Sequence, residues 1–352
     1  MILSISIQTI LKANPHALHL VRGEMTVSVS KIQTPENADA DSLVFISEDK
    51  KFSSILKSPP GILILDRRLE ALVPQLPPNV PLVLASDFKL SIARILKLFS
   101  PRTSPQLGIH PSAQISPSAK IDPSCCIGPY VVVEDGAEIG ARTRIDSHCV
   151  IEFGARIGTD CRLHSHVSVG SRCEIGNFCE LFAHSGLGSD GFGFIPQPPH
   201  APEKVPQIGR VRLEDYVEIG AATQIDRATI GETLIRKGTK IDNLCHIAHN
   251  CEIGENSLIA AGFMTAGSVK IGNRFMCGGD VVCSDHIAIC DDVLIGGRSA
   301  VTSSINAPGR YTGYPLLPWR EGLKALSSVA TLPELRKRIQ ELENRLNLLA
   351  GS

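Results

Sequence analysis

The sequence predicts a mainly β fold: a left-handed parallel β-helix of hexapeptide repeats, with an N-terminal α/β domain before it and C-terminal α-helices after it. Three observations predict it. Aliphatic residues recur at every sixth position from Ile109 to Leu181, at Leu213, Ile219 and Ile225, and, after a phase shift, from Ile235 to Val301, with Thr265, Cys277 and Cys283 taking three of these last slots. A small residue stands two positions before most of them, as at Ala113, Ala119, Ala137, Cys149 and Ala155. Gly often follows, as at Gly128, Gly140, Gly158, Gly176, Gly254 and Gly272. A fixed short period is the mark of a solenoid. Residues two apart point the same way along a strand, so each hexad is a short strand with two inward side chains, then a turn where Gly is expected to relieve strain. Three hexads close one triangular coil, and the left-handed winding is an exception to right-handed crossovers.

Residues 1–103 lack the period. The runs SLVFIS, GILILD and VPLVLAS followed by FKLSIARILKLF read as strands and an amphipathic helix of a small α/β domain. RTSPQLGIHPSAQISP, rich in Pro and Ser, is a linker into the first coil. The β-helix is expected over 104–306. It breaks at 185–209, where GLGSDGFGFIPQPPHAPEKVPQIG is too long for a hexad turn and reads as an ejected, function-bearing loop. Residues 307–352 form a helical extension: T-L-P-E at 331–334 reads as a capping box, and Leu335, Ile339, Leu342, Leu346 and Leu349 make a coiled-coil seam. That seam either joins three chains or packs on its own prism.

With 352 residues and 43% hydrophobic composition the chain buries a core, and a net charge of -1 without a long basic run argues against nucleic acid as a partner. No apolar run reaches the length of a membrane span, and the N-terminal apolar stretch, interrupted by Lys12, fits a signal peptide poorly. The expected location is the cytoplasm, with membrane contact at most peripheral. The 11 cysteines are then reduced. Cys125, Cys149, Cys161, Cys173, Cys179, Cys245 and Cys251 occupy the small inward slot, and Cys277 and Cys283 the aliphatic slot, so they read as core filler; no C-x-x-C pair supports zinc.

The stretch CHIAHN at 245–250 carries the chemistry. With Ile247 inward, His246 faces outward and His249 falls at a corner. Eighteen residues on, one coil higher, is Gly267; His286 lies two coils plus one residue on, near the same edge. This arrangement suits acyl transfer: a neutral imidazole takes a proton from the attacking group, and the bare N–H of Gly267 holds an oxyanion. Asp242, seven residues before His249, is a candidate to orient the imidazole or hold a sugar.

The chain resembles the UDP-3-O-(3-hydroxyacyl)glucosamine N-acyltransferases, the LpxD family of lipid A synthesis. The shared motifs are GSDGFGF at 188–194, PQIGRV at 206–211, VEIGAATQIDRA at 217–228, IDNLCHIAHNCEIG at 241–254, AGS at 266–268 and PGRYTGYP at 308–315. The resemblance implies a homotrimer with active sites between neighbouring prisms and an N-terminal uridine-binding domain. It also implies an acyl donor held as a thioester on the phosphopantetheine arm of acyl carrier protein, with no bound cofactor or metal. The acceptor is the 2-amine of a UDP-linked 3-O-acylglucosamine. His249 matches the family's general base, Gly267 its oxyanion position, and His286 its second histidine near the phosphopantetheine arm. His246, with Asp190 and Phe192 of the ejected loop, is expected to contact substrate. Uracil is gripped in the family by F-x-x-N-x-x-Y. Here FISEDKKF at 45–52 keeps Phe45, lacks the Asn, and aligns Phe52 with the Tyr after a one-residue insertion. Ala300 and Thr302 stand in late coils where an acyl groove would end. Three rival readings remain: a γ-carbonic-anhydrase-like enzyme with zinc on His246, His249 and His286, an O-acyltransferase acting on UDP-N-acetylglucosamine, and a purely structural β-helix.

Overall fold

The structure, a computed structural model, describes residues 4–100, 107–313, 324 and 327–350. The chain divides into two compact units, Met1–Ser104 and Pro105–Ser352.

In the first unit a five-stranded sheet runs in the order Leu18–Arg22, Leu82–Ala85, Ile62–Asp66, Ser42–Ile46, Lys31–Ile32. The first pair is antiparallel and the rest parallel. Ile62–Asp66 is buried throughout, as expected of a parallel strand covered on both faces. Ile7, Ile10 and Ile95, from the helices Ile7–Ala13 and Phe88–Phe99, cover one face; Phe52 and Ile55, from the helix Phe52–Lys57, cover the other. This overturns the expectation that Phe45 and Phe52 pinch a uracil. Alternation along Ser42–Ile46 sends Phe45 to the face shared with Phe88, whose ring it meets edge-on at 6.3 Å. Phe52 is buried in the core on the opposite face.

The second unit is the β-helix. Parallel pairing at a spacing of one coil stacks Ile121 on Ile139, Ile157 and Ile175. Among the described residues the three faces hold eleven, ten and nine strands. The first face includes Arg144–Ile145, Arg162–Leu163 and Lys240–Ile241; the second Ser168–Val169 and His246–Ile247; the third Glu174–Ile175 and Glu252–Ile253. The inward aliphatic and small residues merge into one continuous core. Every cysteine but Cys290 is buried, and burial pushes the Cys149 thiol up to about 11 and those of Cys277 and Cys283 to about 12. These three fill space and stay protonated at neutral pH.

The turn chemistry differs from the expected one. The left-handed backbone at the corners falls two positions after the glycine and is mostly taken by other residues, among them Arg142 (φ 57), His148 (φ 61), Asn250 (φ 61) and His286 (φ 55). The glycine is required by close approach between coils. A Cβ on Gly254 would stand 2.3 Å from the carbonyl carbon of Gly272 in the next coil.

Two insertions interrupt the period, and both lie at the edge between the second and third faces. The strand Gly186–Ser189 still pairs within the second face, so the ejected loop begins only after it. The loop holds a hairpin of Phe194–Gln197 and His200–Lys204. A shorter insertion between Gln224–Asp226 and Glu232–Ile235 widens the spacing between coils, so that Gln224 pairs with His246. The repeat also runs beyond 306: Gly309–Tyr311 pairs with Val293–Ile295. Ala300 and Thr302 line a cleft of this last coil together with Ile305 and Tyr311.

The helix Leu332–Ala350 follows. Among the described residues the expected capping box does not form: the Thr331 hydroxyl donates to the Ser328 carbonyl at 2.8 Å and accepts no N–H from Glu334. Leu335, Ile339, Leu342 and Leu346 are all exposed, so the seam does not pack on its own prism. Among the described residues no helix is long and apolar enough to cross a membrane.

The core carries a direct prediction. Leu163 is fully buried in mid-prism, and Leu163→Ala should lower stability by about 2–5 kcal/mol, read as a lower urea midpoint. An unchanged midpoint would mean that the inward slots are not packed as described.

Candidate active site

His249 lies between the outward strand position of His246 and the left-handed corner residue Asn250. Its carbonyl accepts the N–H of Ser268 at 2.9 Å, and the carbonyl of Gly267 accepts the N–H of His286 at 3.1 Å. These bonds stack His249, Gly267 and the His286 turn on one edge. The side chain is half-buried in a slot that two glycines keep open. A Cβ on Gly267 would lie 2.6 Å from Cε1 and 2.7 Å from Nε2 of the imidazole; a Cβ on Gly191, in the ejected loop, would lie 2.7 Å from the His249 Cβ. Among the described residues the N–H of Gly267 has no acceptor.

The proton on the ring is placed by its neighbour. Nδ1 lies 3.2 Å from Asn250 Oδ1. That oxygen also accepts the N–H of Thr229 at 3.0 Å, while Asn250 Nδ2 donates to the Ile230 carbonyl at 3.0 Å. The amide is thereby oriented with its oxygen toward the ring, so Nδ1 must be the donor. Nε2 is left with its lone pair free, beside Gly267, as a general base requires.

Asp242 does not orient this ring within the chain. It follows the first-face strand Lys240–Ile241 and stands at the edge between the first and second faces, next to Gly220 and Asn243. Seven residues is one hexad plus one, and each hexad crosses a face. Asn250 does the orienting, although its adjacency to His249 was visible in the sequence.

The acidic group near His249 is Asp226, which sequence reasoning passed over although it stands within VEIGAATQIDRA. It is 7% exposed, at the end of the strand Gln224–Asp226, with Oδ2 3.6 Å from His246 Nε2. Burial raises its carboxyl above the ordinary range, charge on His246 or His249 draws it back down, and the Asp190 carboxylate raises it further. His246 is thus held toward Asp226, on the second face. His286 is exposed at the corner above Ser268. Within one chain and among the described residues, no three His, Cys, Asp or Glu side chains converge as a metal site would need.

In the loop, Asp190 is engaged by Lys204 Nζ at 2.6 Å and lies 3.9 Å from Arg227 Nε. Arg227, 7% exposed, donates from Nε to the Gly188 carbonyl at 2.6 Å. Asp190 therefore ties down its own loop, whereas Phe192 is 87% exposed and leans on Phe194 at 5.1 Å. The edge combines a base of defined tautomer, an open N–H beside it and a loop folded over one side. It can take a proton and hold an oxyanion at adjacent points.

Comparison with known proteins gives several likenesses. Residues 105–190 match the GMPPB C-terminal domain model, and residues 232–262 the bacterial transferase hexapeptide (six repeats) model. The chain is 36% identical over 324 residues to a UDP-3-O-acylglucosamine N-acyltransferase of Coxiella burnetii, covering 92% of this chain and 93% of that one. It is 47% identical over 159 residues, 44% of each chain, to the Bordetella avium protein of the same name. Among solved structures, an Arabidopsis UDP-N-acetylglucosamine acyltransferase superposes with a TM-score of 0.50 at 22% identity, over 58% of this chain and 71% of that one, a likeness of fold.

Substituting Gly267 tests the slot. Gly267→Ala should push the His249 ring aside, shifting its imidazole NMR signals while leaving those of His148, His166 and His184 on another edge unchanged. Unmoved His249 signals would contradict the contact.

Proposed function

The chain belongs to the family of UDP-3-O-acylglucosamine N-acyltransferases, and from that premise we propose how its own residues form the amide bond. His249 Nε2 removes a proton from the 2-amine of a UDP-linked 3-O-acylglucosamine as the nitrogen attacks the thioester carbonyl of an acyl chain. The oxyanion of the tetrahedral intermediate is held by the Gly267 N–H. Collapse expels the thiolate, which takes the proton from the imidazolium. The carrying observation is the Asn250 contact, which commits Nδ1 as donor and leaves Nε2 free. Base catalysis contributes about 10²–10⁴-fold, and a single oxyanion donor about 10²–10³-fold.

The donor in this reading is acyl carrier protein, presenting its acyl chain on a phosphopantetheine arm that passes the exposed His286. Uridine goes to the N-terminal unit, by contacts other than a Phe45–Phe52 pinch, and Asp242 is left to hold the sugar. Both substrates and the protonated thiols fit a cytoplasmic reaction. The chain also works as a homotrimer in this reading. The outward rows of the upper first and second faces are apolar, with Leu258, Met276, Met264 and Val282 exposed, while the third face carries ion pairs such as Arg212–Glu232 and Arg236–Glu252. The exposed seam of the C-terminal helix has the spacing to join three chains.

Two measurements test this. With 3-hydroxyacyl carrier protein and UDP-3-O-acylglucosamine as substrates, His249→Ala should lower kcat by about 10²–10⁴-fold; near-normal turnover would remove His249 as the base. Light scattering should give the wild type three times the chain mass, and Leu342→Glu should weaken the assembly. A monomeric wild type would exclude the trimer.

A further inference from the structure

The Asp226 carboxyl, on a nearly buried residue, has no hydrogen-bond donor among the described residues. It is 7% exposed, and among the described residues its side chain accepts no hydrogen bond; His246 Nε2, at 3.6 Å, stands beyond hydrogen-bonding distance. The adjacent Arg227 does not serve it, since that guanidinium bonds the Gly188 carbonyl and leans toward Asp190. The Asp226 oxygens, which the protein leaves open to solvent, keep acceptor capacity that the N–H of a bound ligand can meet. The pairing of Gln224 with His246 and of Ile225 with Ile247 places Asp226, the next residue of its strand, one coil below Ala248, beside the turn that carries the base.

The reaction proposed above supplies a donor of the right kind. An amine enters with two N–H bonds. One proton leaves to His249 and passes to the departing thiolate; the other stays on nitrogen and survives in the amide product. A hydroxyl nucleophile has a single O–H and nothing left to donate once the base has engaged it. We propose that Asp226 accepts the retained N–H of the acceptor amine and so selects a nitrogen over an oxygen nucleophile. The inference rests on the amide-forming reading and adds to it the residue that discriminates between acceptors. The bond-making balances without further reactants: C–N forms, C–S breaks, and the proton taken by Nε2 ends on sulfur. Holding the retained N–H also fixes rotation about the sugar C–N bond, which turns the lone pair toward the thioester carbon. A site built around such a bond rejects an analogue lacking the N–H, because the bound analogue displaces water from the carboxylate without giving it a donor in exchange.

The test is calorimetric, on the full-length protein without donor, so that no turnover occurs. UDP-3-O-acylglucosamine is compared with its analogue bearing a 2-hydroxyl, on the wild type, Asp226→Ala and Asp226→Asn, with circular dichroism to check folding. Asp226→Ala should weaken the amine ligand roughly tenfold to a hundredfold, the range for a hydrogen bond to a charged group, and leave the hydroxyl analogue little changed. Asp226→Asn, which keeps a carbonyl acceptor, should recover part of the loss. Parallel weakening of both ligands would make Asp226 a positioning residue for the imidazoles and overturn the proposal, as would undiminished amine binding. A wild type that binds the amine ligand but fails to acylate it once 3-hydroxyacyl carrier protein is added in a separate assay would instead overturn the amide-forming reading.

Discussion

The structure depends on a hydrogen bond repeated at most corners of the prism, with a hydroxyl taking the carbonyl's place at a few, as Thr233 Oγ1 does for Asn250. The left-handed residue donates its N–H to a carbonyl one coil earlier, as His148 does to Pro129 at 3.1 Å, Arg172 to Phe153 at 2.9 Å and Ser268 to His249 at 2.9 Å. With the inward aliphatic stack this fixes both the winding and the height of each corner above the last. A slip of one residue would turn the inward row outward, so register is strongly specified. The active edge inherits that rigidity, and Gly267 is set beside the imidazole by the backbone.

Within that frame the site works by leaving things out. Side chains are missing at Gly191 and Gly267, where a Cβ would strike the His249 ring. The group that orients the ring is an amide, which fixes the tautomer without placing a formal charge against it. The nearby carboxyl is one coil lower, on Asp226, beside His246 and not against the His249 ring. Separating tautomer control from charge leaves the ring's lone pair available.

The winding, the inward cysteines and the edge shared by His249, Gly267 and His286 were legible because a period of six converts sequence distance into position. The misreadings occur where another rule governs. Asp242 is close to His249 in sequence, but a hexad carries the chain across a face. Glycine in the turn looked like strain relief, yet the left-handed position is two residues later and tolerates Arg, His and Asn; what excludes a side chain is the backbone of the next coil, invisible to a local reading. Strand alternation turns Phe45 to one face of the sheet, while Phe52 rides on the helix that covers the other. Asp226 was missed because the insertion after it lengthens one coil: one regular coil back from His249 leads to Gly231, whereas the actual pairing sets Gln224 beside His246.

A histidine at a corner is not by itself a base. On the edge between the first and second faces, Tyr130, His148, His166 and His184 stack face to face, with centroids 5.0, 4.9 and 4.7 Å apart. Those three histidines occupy the left-handed position, which throws the ring outward along the edge, where neighbouring rings cover its faces and the side chain becomes part of the scaffold. His249 sits one residue earlier in its turn, and Asn250 takes the left-handed position. That single step brings the ring down against Gly267 and puts an amide oxygen beside Nδ1. Both breaks in the period occur on this same edge, so the chain that leaves the prism returns to cover the site it opens. The scaffold supplies imidazoles at several corners, and the residue after the histidine decides which of them can act on a proton.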